Sequence, residues 1–278
     1  MRNVTVLFAT IAALAIGLVA CGGSDAAKKA APAPTHQGMT DEEMKCMVKK
    51  YASAHPNVCP GADQPAESFV TPLSYTADGL VDATKVDLSG VEGLSEEDQT
   101  AAEELLVSTV KTLPKWSNYD QAVADGFQSI QDGITGEEHL LHWDWIDDAT
   151  IFDPNRPESL VYGVDRKTGT KTLEAAMFIL PKEYTLDNTP AIDSKLVQFH
   201  MHDNLCFTPP PAPRVAGLTD GQGGCGPGLT KFNPNIQVHV WIRANPCGPF
   251  AALLGVGAGQ IKPGAERACD MDHGRVGL

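Results

Sequence analysis

The feature that most constrains the fold of this chain is a pair of apolar segments joined by a short polar turn. Residues 159–164 and 171–180 are rich in β-branched and aliphatic side chains, and the intervening segment 165–170 is polar and contains a glycine. This pattern is typical of a β-hairpin, whose strands run antiparallel. Further short apolar segments alternate with turn signals from residue 131 onward. The sequence therefore predicts a β-rich region over 131–278, arranged as an antiparallel sandwich or barrel.

Helix signals precede this region. A capping box of threonine and glutamate, followed by apolar residues at helical spacing, predicts a helix over 41–54. A serine cap begins a stronger amphipathic helix over 95–112, and a short helix follows over about 119–125. We therefore expect a mainly helical segment over 40–130. With the β-rich region it predicts an α+β fold, in which a helical N-terminal layer packs on the sheet within the same globular domain.

The N-terminus has the character of an export signal. Residues 1–20 carry one positive charge and then an apolar run that is too short for a typical membrane span. Residues 18–21, Leu-Val-Ala-Cys, resemble a bacterial lipobox, and this resemblance implies cleavage before Cys21 and attachment of lipid to its sulfur. The Ala-, Gly- and Pro-rich stretch 21–39 predicts a flexible tether. The expectation is an exported lipoprotein anchored to a cell-envelope membrane through Cys21.

The charge of the chain is strongly negative. The full sequence has 21 basic and 35 acidic residues, a formal net charge of −14. Removal of residues 1–20 deletes one arginine and no acidic residue, which leaves 20 basic against 35 acidic residues and a charge of −15. Such a chain repels the phosphate backbone, so nucleic acid is not an expected partner.

The cysteine count favours disulfide bonds. Six cysteines remain besides the lipobox cysteine, and an even number in an exported chain is typical of a disulfide framework. The alternative of a zinc–thiolate site lacks any Cys-x-x-Cys pair. Several pairings are open from sequence alone; pairing of nearest neighbours, which staples local loops, predicts the bonds Cys46–Cys59, Cys206–Cys225 and Cys247–Cys269.

Histidines cluster in three short segments of the middle and C-terminal parts. His200 and His202 lie in a strand-like run over 196–206, where alternation directs both side chains to one face. His239 lies in a second run over 236–242, on the face opposite its aliphatic residues. Imidazole nitrogen suits copper, zinc and iron better than magnesium or calcium. The pattern therefore predicts a transition-metal site whose metal the sequence does not identify.

A third segment offers two further histidines. His142 is preferred to His139 as the fourth ligand, because Trp143 and Trp145 indicate an extended, partly buried stretch that starts there. If residues 136–142 were helical instead, both histidines would share a face at the i, i+3 spacing. Methionine thioether is a soft ligand that favours copper, and Met177 and Met201 are candidates, although alternation turns Met201 away from the His200 face. The predicted ligand set is His142, His200, His202 and His239.

These residues carry a resemblance to a known family. The C-terminal half is similar to the cupins, small β-barrels whose first motif contains His-x-His and whose second supplies a later histidine; His200, His202 and His239 match those elements. The resemblance implies metal binding inside a barrel. The glutamate that follows His-x-His in that family is absent here, and Asp203 is the nearby acid. Copper oxidases also use His-x-His pairs, but several of them, whereas this chain has one.

Other catalytic motifs are absent from the sequence. It contains no Gly-x-Ser-x-Gly elbow, no His-Glu-x-x-His helix and no phosphate-binding loop of the Walker type. Glu137 and Glu138 are candidates for a general base beside a metal-bound water. The sequence thus favours a lipid-anchored protein that binds a transition metal, either to hold it or to catalyse with it. The alternative is a structural or protein-interaction lipoprotein without a metal.

Overall fold

The computed structural model describes residues 73–89, 91, 94–146, 148–190, 192, 196–231, 235–245, 248–252, 254–255, 260–262 and 272–273. All of them belong to the unit formed by residues 37–278. The predicted signal, lipobox, tether and first helix lie outside the described residues. The same holds for the predicted disulfides Cys46–Cys59 and Cys247–Cys269.

Two α-helices are described, and both lie where the sequence predicts them. Helix α1 (Glu96–Thr112) begins after Ser95, whose hydroxyl accepts a hydrogen bond from the Asp98 backbone N–H at 3.1 Å. A 3₁₀ turn (Leu113–Trp116) leads to helix α2 (Tyr119–Ala124), which Asn118 caps. None of the helices in the described part of the chain has the length and apolar character needed to span a membrane.

The regular structure in the remainder of the described chain is mainly β-strand. Short 3₁₀ turns occur at Gly133–Thr135 and Trp143–Trp145. The strands are β1 (Gln128–Ser129), β2 (Glu137–Leu141), β3 (Ser159–Val164), β4 (Lys171–Ile179), β5 (His200–Met201), β6 (Leu205–Phe207), β7 (Val215–Leu218), β8 (Thr230–Lys231), β9 (Gln237–Trp241), β10 (Leu254–Gly255), β11 (Gln260–Ile261) and β12 (Asp272–His273).

The main sheet is antiparallel, as the hairpin pattern predicts. Seven strands pair in the order β1-β2-β3-β4-β9-β5-β11, and every neighbouring pair is antiparallel. A smaller antiparallel sheet has the order β7-β6-β8, and β10 pairs with β12 in parallel. The predicted hairpin is β3–β4, joined by the polar turn. The prediction of mainly antiparallel β-structure is thereby confirmed.

One face of the main sheet packs against α1. The apolar residues of α1 recur at helical spacing, and the strands present alternate residues to them, as a half-buried sheet requires. Burial of each large apolar side chain contributes about 1.5–3 kcal/mol to stability. The shared cluster contains Leu105, Leu106 and Val110 from α1 and Leu140, Leu160, Phe178, Val238 and Val240 from the strands.

The predicted strand over 196–206 differs from the structure. It is divided into β5, which belongs to the main sheet, and β6, which belongs to the smaller sheet. The chain changes sheets between them, and Asn204 there accepts a backbone hydrogen bond from Thr219 at 2.9 Å. Cys206 on β6 forms the predicted disulfide with Cys225, so this staple is confirmed and closes the loop that carries β7.

Glu158, just before β3, is a carboxyl buried beneath the sheet. It is 2% exposed, and its Oε2 accepts a hydrogen bond from the Ile179 backbone N–H at 3.0 Å. Burial raises the pKa of Glu158 from its ordinary value of 4.5 to about 8, and this outweighs the lowering by the Ile179 hydrogen bond. The folded protein therefore holds a proton on Glu158 over a pH range in which the unfolded chain has lost it.

We expect the free energy of unfolding to fall as the pH rises from about 4.5 to about 8, by up to about 1.4 kcal/mol per pH unit from this group. Below that window both states bind the proton, and above it neither does. Glu158→Gln keeps an acceptor for Ile179 but cannot ionise, so it should flatten the slope. Urea unfolding at several pH values checks this; parallel profiles for the variant and the wild type would contradict it.

Candidate metal centre

The second face of the main sheet carries two of the sequence-predicted histidine segments. On β2, alternation places Leu140 on the helix side and His139 on the other side; on β9, Val238 and Val240 face the helix and His239 faces away. The apolar residues of this second face are Leu141, Val161, Ala175, Met177, Ile179 and Trp241. We call this surface, together with His139 and His239, the histidine face.

His139 and His239 meet across the middle of the histidine face. Their Nε2 atoms are 3.3 Å apart, and the side chains are 6% and 0% exposed. Strands β3 and β4 lie between their strands, a separation of about 14 Å in a flat sheet. The two side chains therefore reach toward each other above the residues of these inner strands, among which Val161 and Ala175 are small enough to leave room.

Asp132 fixes the ring of His139. Its Oδ2 lies 2.6 Å from His139 Nδ1, and its Oδ1 accepts a hydrogen bond from the His139 backbone N–H at 2.9 Å. In the neutral tautomer that donates Nδ1–H to Asp132, the lone pair of the ring is on Nε2, the atom that faces His239. A carboxylate on the second nitrogen is the usual arrangement behind a metal-binding histidine.

The charge of Asp132 also acts on the proton affinity of His139. Burial lowers the pKa of His139, but the charge and hydrogen bond of Asp132, joined by the charges of Glu137 and Glu138, raise it by more, so the net pKa lies above its ordinary value. A stronger proton affinity accompanies a more basic Nε2. A metal ion at this atom would compete with that proton, so its binding would weaken at low pH.

His200 on β5 and His202, just after this strand, extend the cluster. His200 pairs in register with Gln237, and its ring stacks on that of His239 with centroids 4.9 Å apart and planes inclined by 12°. Its Nδ1 lies 3.1 Å from the carbonyl oxygen of Gln198, which favours the tautomer with a lone pair on Nε2. The ring of His202 contacts that of His200 edge to face, with centroids 5.3 Å apart. The rings thus form a continuous chain.

His142 lies apart from this cluster. It follows β2 on the helix side, where its ring stacks on Trp145 at 3.7 Å between centroids and meets Phe127 edge to face. A Cβ on Gly126 would lie 2.8 Å from His142 Nε2, so this glycine, with φ of +103°, makes space for the ring. The structure therefore brings His139 to the other three histidines and places His142, the ligand chosen from the sequence, on the opposite side of the sheet.

The physical reason is strand alternation. The segment is the strand Glu137–Leu141 and is not helical, so His139 and His142 point to opposite faces. The tryptophans that suggested an extended stretch form a 3₁₀ turn instead. A count by twos from Leu140, which faces the core, reaches Glu138 and His142, and this leaves His139 on the opposite face. No comparable signal identifies Asp132, which lies before the strand in a turn.

Of the two acidic candidates for a general base, Glu137 lies by alternation on the same side of the sheet as His139, and Glu138 does not. Glu138 lies on the helix side, where its Oε1 accepts hydrogen bonds from Tyr119 and Ser129 and its Oε2 pairs with Lys171 Nζ at 2.6 Å. Because alternation separates it from His139, its carboxylate does not reach the cluster. With Lys171 it forms a largely buried ion pair that has a structural role. Removal of Lys171 would leave the buried Glu138 carboxylate without its cation.

The separation of His139 and His239 is compatible with two ligands of one metal ion, but a complete set of ligands is not assembled around it. Two nitrogens bound to one tetrahedral zinc at the usual bond length lie about 3.3 Å apart, which equals the His139–His239 separation. Within the described ranges, however, no group of three or more His, Cys, Asp or Glu side chains surrounds a common point that could hold a metal ion. A third ligand therefore requires at least one ring to turn.

Comparison with known proteins leaves the chain without an assigned family. No family model matches it, and neither a curated protein nor a solved structure is similar to it.

Proposed function

We propose that this chain is a lipid-anchored cell-envelope protein that binds one transition-metal ion through the imidazoles of His139, His200 and His239. His202, at the edge of the cluster, is a fourth candidate. The smaller sheet packs beside the histidine face through Phe207, so we further propose a sandwich-like enclosure of the site. The anchor is the lipid that the lipobox resemblance implies on Cys21.

The observation that carries this proposal is the orientation of the buried rings. His139 and His200 each have Nδ1 beside an acceptor, Asp132 Oδ2 and the Gln198 carbonyl oxygen. That arrangement leaves Nε2 as the ligating nitrogen, and acceptors of this kind orient most metal-binding histidines. Copper, zinc and iron all accept imidazole, and their binding would replace the direct His139–His239 contact by two metal–nitrogen bonds.

The site is better suited to holding a metal than to catalysis. His200 and His239 are completely buried, the nearest acidic residue, Asp132, is held by His139 Nδ1, and Glu138 faces the other side of the sheet. A hydrolytic site needs an open coordination position and a base near the bound water. We therefore favour storage, transfer or sensing of the metal over an enzymatic reaction.

A metal-free interaction lipoprotein is the second candidate. The hydrogen bond between His139 and His239 supports it, because one ring can donate to the other without any ion. In that case the histidines only stabilise the sheet. Titration of the purified protein with each metal separates the two functions, because a structural pair should give no saturable binding.

Asp132→Asn is expected to weaken metal binding by about 10- to 100-fold, the usual effect of losing a carboxylate behind a histidine ligand. Asparagine keeps the size and an acceptor oxygen but removes the charge that makes His139 basic. The affinity is measured by competition with a chromophoric chelator. Asp120→Asn is the matched control, since Asp120 is exposed on α2. Equal loss in both variants would contradict a role for Asp132 at the site.

A further inference from the structure

Met177 is a buried sulfur-containing residue on the histidine face. It is 4% exposed and belongs to the same apolar cluster as Trp241. The register of β4 against β9 pairs Met177 directly with His239. Side chains of directly paired residues on antiparallel strands share one face, with Cβ atoms about 4.5–5.5 Å apart. The Met177 side chain therefore extends from the sheet beside His239, whose ring contacts both His139 and His200.

We propose that Met177 supplies a thioether ligand at this centre and makes it selective for Cu(I). The inference rests on the proposed function and deepens it, because it names the metal. Three imidazoles alone suit zinc, copper and iron alike. A thioether is a soft ligand that adds affinity for Cu(I) and little for Zn(II), so the sulfur separates ions that the histidines do not.

The burial of the histidine cluster also favours Cu(I) over divalent ions. Neutral imidazole and thioether ligands do not offset the charge of a bound ion, and His200 and His239 have no exposed surface. The cost of burying an ion rises steeply with its charge. A monovalent ion such as Cu(I) is therefore easier to hold here than a divalent one, with the Asp132 carboxylate supplying one compensating charge through His139.

Met201 provides a matched control on the opposite face. It follows His200 on β5, and alternation directs it toward the helix side, where it packs against the cluster that contains Phe178. Leucine has nearly the volume of methionine but no sulfur, and exchange between the two usually costs little stability. Met177→Leu and Met201→Leu therefore differ mainly in whether a sulfur is lost beside the histidines.

The test measures Cu(I) and Zn(II) affinities of the full chain and both variants by chelator competition, with Cu(I) kept under reducing but disulfide-sparing conditions. Met177→Leu should weaken Cu(I) binding at least about tenfold, roughly 1.4 kcal/mol, with Zn(II) binding little changed. Met201→Leu should change neither. X-ray absorption of the Cu(I) form should show a sulfur neighbour in the wild type that Met177→Leu removes.

The possible outcomes separate the two proposals. Saturable metal binding with equal Cu(I) affinity in the wild type and Met177→Leu would overturn the thioether ligand and leave the histidine site standing. Absence of binding of either ion by the wild type would overturn the proposed function itself. Equal weakening in both leucine variants would show a packing effect and would also overturn the ligand role of Met177.

Discussion

His239→Ala is expected to abolish stoichiometric metal binding. His239 is the central ring of the cluster, with Nε2 3.3 Å from His139 Nε2 and its face stacked on His200. Its loss removes one ligand and the contact that holds two others together, so we expect affinity to fall by at least about a hundredfold, more than for loss of a residue behind a ligand. Elemental analysis after dialysis against a weak chelator measures the remaining metal.

His142→Ala is the control for that variant. The His142 ring packs on Trp145 and Phe127, on the other side of the sheet, so its removal should reduce stability yet leave metal content unchanged. His139→Ala should behave like His239→Ala. Retention of metal by His139→Ala together with loss from His142→Ala would favour the original sequence-based ligand set and contradict the site described above.

Phe178→Ala is expected to reduce the free energy of unfolding by about 3–5 kcal/mol. Phe178 lies on β4 with no exposed surface, in the cluster that joins the sheet to α1, and its ring meets Phe152 edge to face at 5.8 Å. Truncation removes the transfer free energy of the ring and leaves a cavity that the surrounding strands cannot close. Urea unfolding followed by circular dichroism measures the loss.

Val123→Ala provides the comparison. Val123 is 48% exposed on α2, so its truncation should change stability by no more than about 0.5 kcal/mol. Because Phe178 faces away from His239, Phe178→Ala should keep the metal content of the molecules that remain folded. If Phe178→Ala reduced the free energy of unfolding by less than Val123→Ala does, the packing of α1 on the sheet would be contradicted.

The sequence predicted the elements whose local chemistry is strong. The Ser95 cap and apolar spacing located α1, and the apolar segments around a polar turn located the β3–β4 hairpin. The disulfide Cys206–Cys225 followed from loop proximity. In each case neighbouring residues carry the information, since caps, turns and short loops are set by contacts close in sequence.

The sequence could not determine the features that depend on long-range contacts. Apolar and polar residues alternate over 197–202 as in a single strand, yet the chain changes sheets after Met201 because β6 pairs with β7 and β8. The choice between His139 and His142 depends on the position and end of strand β2, which ends at Leu141. Asp132 reaches His139 from a turn, and no spacing rule links the two.

The most direct test of the central claim is the metal content of the wild-type protein. The chain should be purified with its disulfide intact and without a polyhistidine tag, incubated separately with Cu(I), Zn(II) and Fe(II), and dialysed before elemental analysis. We expect close to one equivalent of a transition metal per chain, with Cu(I) retained most strongly. No retained metal after any of the three incubations would contradict it and would leave the buried histidines with a structural role.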